Sequence, residues 1–411
     1  MKRRVVITGM GALSPIGNTV SDMWVNAKAG VCGIDYIKSF DTADMKVKVA
    51  GELKDYDPAA YMDKMTARRT ARFTQLAVIA AREAMAQSGL DMEKEDAARC
   101  GVNISSGIGG LPTIEAEHEK GQKRGFDKVS PLFVPMAIVN MAAGSVAIEF
   151  GFKGSCESIV TACASGTNAI GEAFRQIRDG YADIFLTGGS ESCISPLGIG
   201  GFTSMKALSE SENPKRASIP FDKERNGFVM GEGAGVLVLE EYEHAKARGA
   251  EILGEVVGYG VTCDANHMTA PLEDGSGAAA CMKMAMADAG ITAGQLGYIN
   301  AHGTSTPMND KCETKAVKAA LGDAASTVKM SSTKSMTGHL LGASGAVEAI
   351  LTVSALRDQF APPTIGYKEA DEDCDLDIVP NKGKAMDTEY AMSNSLGFGG
   401  HNASIIFKRV E

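Results

Sequence analysis

The chain has 411 residues, 44% of them hydrophobic and 22% charged, with a formal net charge of −10. This is the composition of a folded globular chain with room for one large or two ordinary domains. The acidic balance argues against general nucleic-acid binding, and no apolar run approaches the length of a membrane span.

The opening "MKRRVVITGMGALSPIG" has a basic end and a short apolar run, but no long uninterrupted h-region and no small-x-small cleavage site. It predicts a buried strand rather than a signal peptide. Its glycines read G-x-G-x-x-S with no clear acidic ribose partner, which is a poor dinucleotide site. In "DKMTARRTARF" (63–73), Lys64, Arg68 and Arg72 fall at i, i+4 and i+8, with Arg69 beside them. If helical, this stretch carries one basic stripe. A helix is expected over 68–88, with Phe73, Leu76, Ala77, Ala80 and Ala84 on one face and Gly89 as its stop.

After the strand "CGVNISSG" comes "SIVTACASGTNAIGEAFRQIRDG" (158–180), where a β-branched run ends in Cys163 and a helical pattern starts at once. Free N–H groups and the dipole at a helix start favour a thiolate, so the Cys163 pKa is expected to fall. Ala164, Ser165 and Gly166 leave a substrate room to approach, and the sharp turn aims backbone N–H groups at one point, as an oxyanion requires. The other eight cysteines are scattered, form no CxxC pair, and read as buried structural residues of a reduced, cytoplasmic chain. "DIFLTGG" and "GVLVLEE" are further strands, and "NPKRASIPFDKERNGF" (213–228) reads as a surface loop. "GEGAG" (231–235) precedes a strand, not a helix, and is no phosphate cradle.

The second half echoes the first. "AREAMAQSGL" (81–90) resembles "MKMAMADAGI" (282–291); "CASG" followed by "IRDG" resembles "GASG" followed by "LRDQ". The turns Ser106-Gly107 and His302-Gly303 correspond, as do "VVITGMG" and "EVVGYG". Four matches in the same order predict two α/β halves of similar topology, meeting near residue 250. "LGYINAHG", "VKMSSTKS" and "NASIIFKR" supply strands of the second half. His118 and His244 lie in charged helical stretches and read as solvated; His267 precedes "MTAP" and is placed to line a cleft. His302 and His339 sit at chain-turning points of the second half, so packing about a pseudo-twofold axis would bring them to Cys163 as base or donor partners. A zinc site would need a fourth ligand that the sequence does not offer.

"TACASG" around Cys163, "NAHGTSTPMND" around His302, "SSTKSMTGHLLGASGAVE" around His339 and "NSLGFGGHN" near the end resemble the elongating β-ketoacyl-acyl-carrier-protein synthases. The resemblance covers nearly the whole chain. It implies a thiolase-like α/β fold, two similar halves (1–250 and 251–411) in a five-layer αβαβα arrangement, and a homodimer. It implies a Cys163–His302–His339 site, with Lys334 tuning its electrostatics and Phe398 as gate and, with Cys163, oxyanion-hole donor. Ile108 and Phe202 are expected to line the acyl pocket, and Thr304 and Thr306 to hold the phosphopantetheine arm. Asn300, Glu348, Ser393 and Asn394 correspond to the surroundings of a structural cation; no metal, nucleotide or flavin is required for the chemistry. The partners implied are acyl- and malonyl-loaded acyl-carrier proteins, which are acidic and would meet the stripe of Lys64, Arg68, Arg69 and Arg72. Ala270 stands where some relatives carry a hydroxyl, which puts one contact to the arm in doubt. A coenzyme A-dependent Claisen enzyme, a non-catalytic carrier-binding subunit and a polyketide synthase subunit are the competing readings.

Overall fold

The computed structural model describes residues 2–410. Ten strands form one hydrogen-bonded sheet. In chain order they are β1 (Val5–Leu13), β2 (Cys100–Ser105), β3 (Cys156–Glu157), β4 (Ile184–Glu191), β5 (Gly233–Glu241), β6 (Gly254–Cys263), β7 (Leu296–Asn300), β8 (Lys329–Ser331), β9 (Tyr390–Gly397) and β10 (His401–Lys408). Their order across the sheet is β8-β7-β9-β10-β6-β1-β5-β4-β2-β3. Read outward from the centre, β1-β5-β4-β2-β3 and β6-β10-β9-β7-β8 are the same sequence of strands, one half being the rotated copy of the other. Directions agree as well: β2–β4 and β7–β9 are parallel, β4–β5 and β9–β10 antiparallel. The halves join where Val5–Ile7 pair antiparallel with Gly254–Val256.

Six helices repeat in the same way: α1 (Arg72–Ser88), α2 (Met141–Phe150), α3 (Ser165–Arg178), α4 (Ser276–Ala289), α5 (Pro307–Leu321) and α6 (Ser344–Asp358). Helices α1 and α4 both stop at a left-handed glycine, Gly89 at φ 64° and Gly290 at φ 68°. Three apolar clusters set the layers. Phe73, Leu76 and Ala80 of α1 and Val146 of α2 pack on β2, β4 and β5. Met282, Ala285 and Val317 of α4 and α5 pack on β7, β8 and β9. Between them Ile170, Phe174 and Ile177 of α3 meet Val347, Ile350 and Leu351 of α6, against strands of both halves. The order is therefore helix, half-sheet, helix pair, half-sheet, helix, the two halves of the one sheet forming separate layers. Of the central pair, α3 keeps a half-buried side at Glu172, Arg175, Gln176 and Arg178, whereas α6 has no buried-versus-exposed stripe: twelve successive residues, Gly345–Leu356, are buried with Ser344.

Three sequence expectations are corrected. The helix expected over 68–88 is two helices, Lys64–Arg69 and α1, because Thr70 is extended at φ −123°, ψ 129°. The segment 213–228 is not a surface loop: Ala217–Asp222 are buried, and Asp222 accepts the N–H groups of Lys368 and Glu369. His244 is not solvated. Its imidazole bonds Glu240 at 2.6 Å and Glu95 at 2.9 Å, and these carboxylates hold its pKa up against burial.

All nine cysteines are free; Cys156 and Cys263 are exposed rather than buried. Among the described residues no helix is long and apolar enough to cross a membrane.

Candidate active site

Cys163 lies in a single 3-10 turn, Ala162–Ala164, that runs straight into α3. Ala162 takes φ 52°, a left-handed conformation that disfavours any residue with a Cβ by about 1–3 kcal/mol. That kink turns the chain sharply enough to leave the Cys163 sulfur at the helix start. The second half repeats it: Leu341 takes φ 48° in the turn Leu341–Ala343 before α6, and Gly342 stands where Cys163 stands in the first.

The sulfur opens onto a cavity of about 380 Å³ lined by Cys163, His302, His339, Phe202, Phe228, Thr304, Thr306 and Phe398. His302 follows β7, and its own N–H and that of Gly303 donate to the Glu313 carboxylate at 2.8 and 2.7 Å. Burial pushes that carboxyl up to about 7. His339 is held by its backbone, which bonds Val229 and Gly231 at 2.7 and 2.8 Å, and by Nδ1, 2.8 Å from Ser344 Oγ. The two imidazoles meet edge to face with centroids 5.3 Å apart. His302 Nδ1 and His339 Nε2 have no protein partner. Burial first, then the Lys334 charge, push both imidazole pKa values well below the ordinary range. They are neutral at physiological pH and exchange hydrogen bonds without carrying charge.

Lys334 is fully buried and ion-paired with Glu348. Removing either partner leaves a buried, unmatched charge, a change that destabilises by about 3–5 kcal/mol. For Cys163 the expected fall in pKa is corrected. Burial, with a smaller push from the Glu191 charge, raises the thiol to about 12, against the downward pulls of Lys334 and of the backbone N–H groups of Phe398 and Cys163. At neutral pH the resting site therefore holds a thiol rather than a thiolate. Those two N–H groups lie at the sulfur because Gly397 packs against the turn; a Cβ there would meet Thr161 O at 2.6 Å.

Phe398, Phe202, Phe228 and His339 make a file of rings at successive centroid distances of 6.4, 5.4 and 5.3 Å. Ile108 is not at the open cavity; it packs with Cys163, Phe202 and Leu341 in the apolar cluster behind it. Thr304 and Thr306 share a hydroxyl hydrogen bond of 3.0 Å. Ala270 lines the cavity, whereas His267 does not: its Nδ1 accepts the N–H groups of Thr269 and Ala270. Asn300 and Ser393 are register partners on β7 and β9, and Glu348 Oε2, Ser393 Oγ and Asn394 Nδ2 lack partners. Lys64, Arg68 and Arg69 are exposed on their short helix. Arg72 is not part of their stripe. It begins α1, pairs with Glu232 through two bonds of 2.8 and 2.7 Å, and stacks on Tyr56.

Sequence reasoning missed Phe228, Glu313 and Ser344. Phe228 lay in the segment read as surface. Glu313 is eleven residues beyond His302 on α5, and only the fold returns it to the His302 backbone.

A duplicated α/β fold with a cysteine from one half and two imidazoles from the other at one cavity matches the architecture of the thiolase-like ketosynthases. The description "Beta-ketoacyl synthase, N-terminal domain" matches residues 2–245, and "Beta-ketoacyl synthase, C-terminal domain" matches residues 253–368. Proteins named 3-oxoacyl-acyl-carrier-protein synthase 2 from Staphylococcus aureus (strain COL) and Vibrio cholerae are each 53% identical, over 409 and 412 residues, covering 100% of this chain and 99% and 100% of theirs. A β-ketoacyl synthase structure from Burkholderia phymatum superposes with a TM-score of 0.92 at 35% identity, with full coverage of both chains. A type II polyketide synthase acyl-carrier protein in complex with its ketosynthase matches with a TM-score of 0.92 at 37% identity, again with full coverage. The chain belongs to the β-ketoacyl synthase family and is an acyltransferase.

Proposed function

We propose that this enzyme elongates fatty acyl chains, using acyl-carrier protein to deliver both the primer and the malonyl unit. The observation that carries the reading is the convergence of Cys163, His302 and His339 on one cavity, with N–H groups aimed at the sulfur. The Cys163 sulfur attacks the acyl thioester; its proton passes through an imidazole to the departing carrier thiol, and the carbonyl oxygen takes the N–H groups of Cys163 and Phe398. Malonyl-carrier then loses CO2, and the electron pair moves onto its thioester oxygen. With Ser344 Oγ–H donating to Nδ1, His339 presents Nε2–H to that oxygen, beside His302. The enolate carbon attacks the acyl-Cys163 carbonyl, the C–S bond breaks with its electron pair staying on sulfur, and the Cys163 thiolate takes a proton from solvent as 3-oxoacyl-carrier leaves. Thr304 and Thr306 hold the phosphopantetheine arm, and Phe398 moves to admit the chain, its loop freed by Gly399 and Gly400.

Fatty-acid elongation is favoured over polyketide assembly by the higher identity to synthase 2 proteins than to the polyketide ketosynthase, 53% against 37%. The carrier seated on that ketosynthase supports a carrier partner here. The halves are read as 1–250, carrying the nucleophile, and 251–411, carrying the histidines. A homodimer is supported by the free edge of β3 and by exposed Val134, Ile138, Ile148 and Val160. A cytoplasmic setting suits nine free cysteines. The condensation takes its driving force from CO2 release and needs no organic cofactor. The unpartnered oxygens of Ser393 and Glu348, with Asn300 beside them, suit a cation of low charge, because Lys334 already neutralises Glu348; Asn394 joins such a site only with its amide turned, since its free atom is the donor Nδ2 and its Oδ1 takes the Ser404 hydroxyl. Such an ion would brace β7, which leads into His302.

The test of the reading is CO2 release and product formation with malonyl-carrier against malonyl-coenzyme A. Strong preference for the carrier form is expected; equal rates would favour a coenzyme A-dependent Claisen enzyme.

Two variants extend it. Ile108→Phe fills the cluster behind Cys163, so long acyl donors should be rejected while short ones still react. Product lengths measured beside Tm check this: general destabilisation with unchanged ranking would make Ile108 a plain core residue. Reversing Arg68 and Arg69 to Glu should raise KM for carrier-linked substrates and spare pantetheine thioesters, the defect shrinking with salt. Equal loss on both substrate types would refute docking at this helix.

A further inference from the structure

The pseudo-twofold axis gives the active site a twin. The equivalent turns Ser106-Gly107 and His302-Gly303 set the correspondence, and the strand pairing carries it across: Ile104 pairs with Gly188, as Asn300 pairs with Ser393. Counting on from these pairs, Ser106 falls at the place of His302 and Cys193 at the place of Phe398. Gly342 falls at the place of Cys163. The twin thus keeps the turn and its N–H groups but has lost the nucleophile and the imidazole.

A carboxylate fills it. Glu191, at the end of β4, is fully buried. It accepts Ser106 Oγ–H at 2.8 Å, the N–H groups of Gly107 at 2.7 Å, Ile108 at 3.3 Å and Gly342 at 3.0 Å, and the Cys193 S–H at 3.2 Å. Among the described residues no lysine or arginine pairs with it. Its charge is met by five donors and by the N-terminal end of α6, reached through the turn Leu341–Ala343. Ser106 Oγ in turn accepts Gly109 N–H at 3.0 Å, closing the loop on itself.

We propose that Glu191 is a positioning residue for acyl-chain selection. It clamps the loop Ser106–Gly109, and with it Ile108, onto the turn Leu341–Ala343 that follows His339. Ile108 then stands as a fixed wall of the apolar cluster behind Cys163 instead of a side chain on a free loop. Glutamine in its place keeps the shape but turns one acceptor oxygen into an NH2 group facing N–H donors, so the clamp opens. This rests on the acyl-transfer reading above.

The experiment measures kcat/KM for carrier-linked acyl donors of graded length in the parent, Glu191→Gln, Ile108→Ala and the double variant. Condensation by the parent tests the acyl-transfer reading itself; the ratios between donors test the clamp. Glu191→Gln should move the ratio between long and short donors toward unity by about fivefold or more, a range that pocket fit controls. In the Ile108→Ala background the same change should leave the ratio unmoved, because Glu191 acts through Ile108. A Glu191→Gln enzyme that loses rate equally on all donors, or shifts the ratio as much without Ile108, overturns the proposal. If Glu191→Gln does not fold, Ser106→Ala removes one donor of the clamp and should shift the ratio in the same direction; an unchanged ratio there overturns it equally.

Discussion

Replacing Cys163 with glutamine will abolish acyl transfer while malonyl-carrier continues to lose CO2. The sulfur is the only nucleophile at the cavity that stands at a helix start with two N–H groups aimed at it, so its loss removes the covalent step entirely. A fall of about 10⁴-fold or more in condensation is expected when a sole nucleophile is deleted. In the proposed mechanism decarboxylation uses His302 and His339, whose positions come from Glu313, Val229, Gly231 and Ser344 and owe nothing to the Cys163 side chain. The two activities are read separately, as acyl mass on the protein and as CO2 released. Parallel loss of both would show that the cysteine supports the histidine half of the site, against this account.

The histidine variants should divide the reaction the other way. His302→Ala or His339→Ala removes one donor from the developing enolate, and loss of a single aimed donor in a buried site lowers the rate by about 10²–10³. Decarboxylation should fall by that factor while acyl-Cys163 still forms, more slowly where the imidazole also moves the thiol proton. Because burial and Lys334 hold both imidazoles neutral, their donor role needs no protonation, and decarboxylation should not rise as pH drops from 8 through the ordinary histidine range; a fall near 7 would report Glu313, whose carboxyl is pushed up to about 7 and loosens its hold on the His302 and Gly303 N–H groups when protonated. A rate that rises as an imidazole of ordinary pKa takes up its proton would mean that imidazolium, not imidazole, is the donor. A His302 or His339 variant that decarboxylates at the parent rate would remove the electron sink from the mechanism.

The fold was legible because duplication writes itself twice. Gly89 and Gly290 stop equivalent helices, and "CASG" and "GASG" open equivalent ones, so sequence order alone placed Cys163 opposite His302 and His339. What the sequence could not show is what burial does. Charged residues in 213–228 looked solvated, yet Asp222 is wholly buried beneath backbone N–H groups from residues 368 and 369. Arg72 continued a helical stripe by spacing, but one extended residue, Thr70, broke the helix and Glu232, 160 positions away, took the guanidinium. The Cys163 pKa failed for the same reason. A helix start favours the thiolate, but the solvent that the surrounding halves remove favours the thiol more. Glu313 and Glu191 were invisible because each holds backbone groups that only the folded chain brings near.

In the proposed mechanism a buried thiol, not an accessible one, carries the growing chain. Cys156 and Cys263 are exposed, and Cys163 is buried at the head of α3. Incubation of the enzyme with acyl-carrier protein, followed by intact-mass and peptide mass spectrometry, compares them directly. One acyl group per chain, on Cys163 alone, is the predicted result. An acyl group on Cys156 or Cys263, or a Cys163→Gln enzyme that still acquires one, would contradict the account.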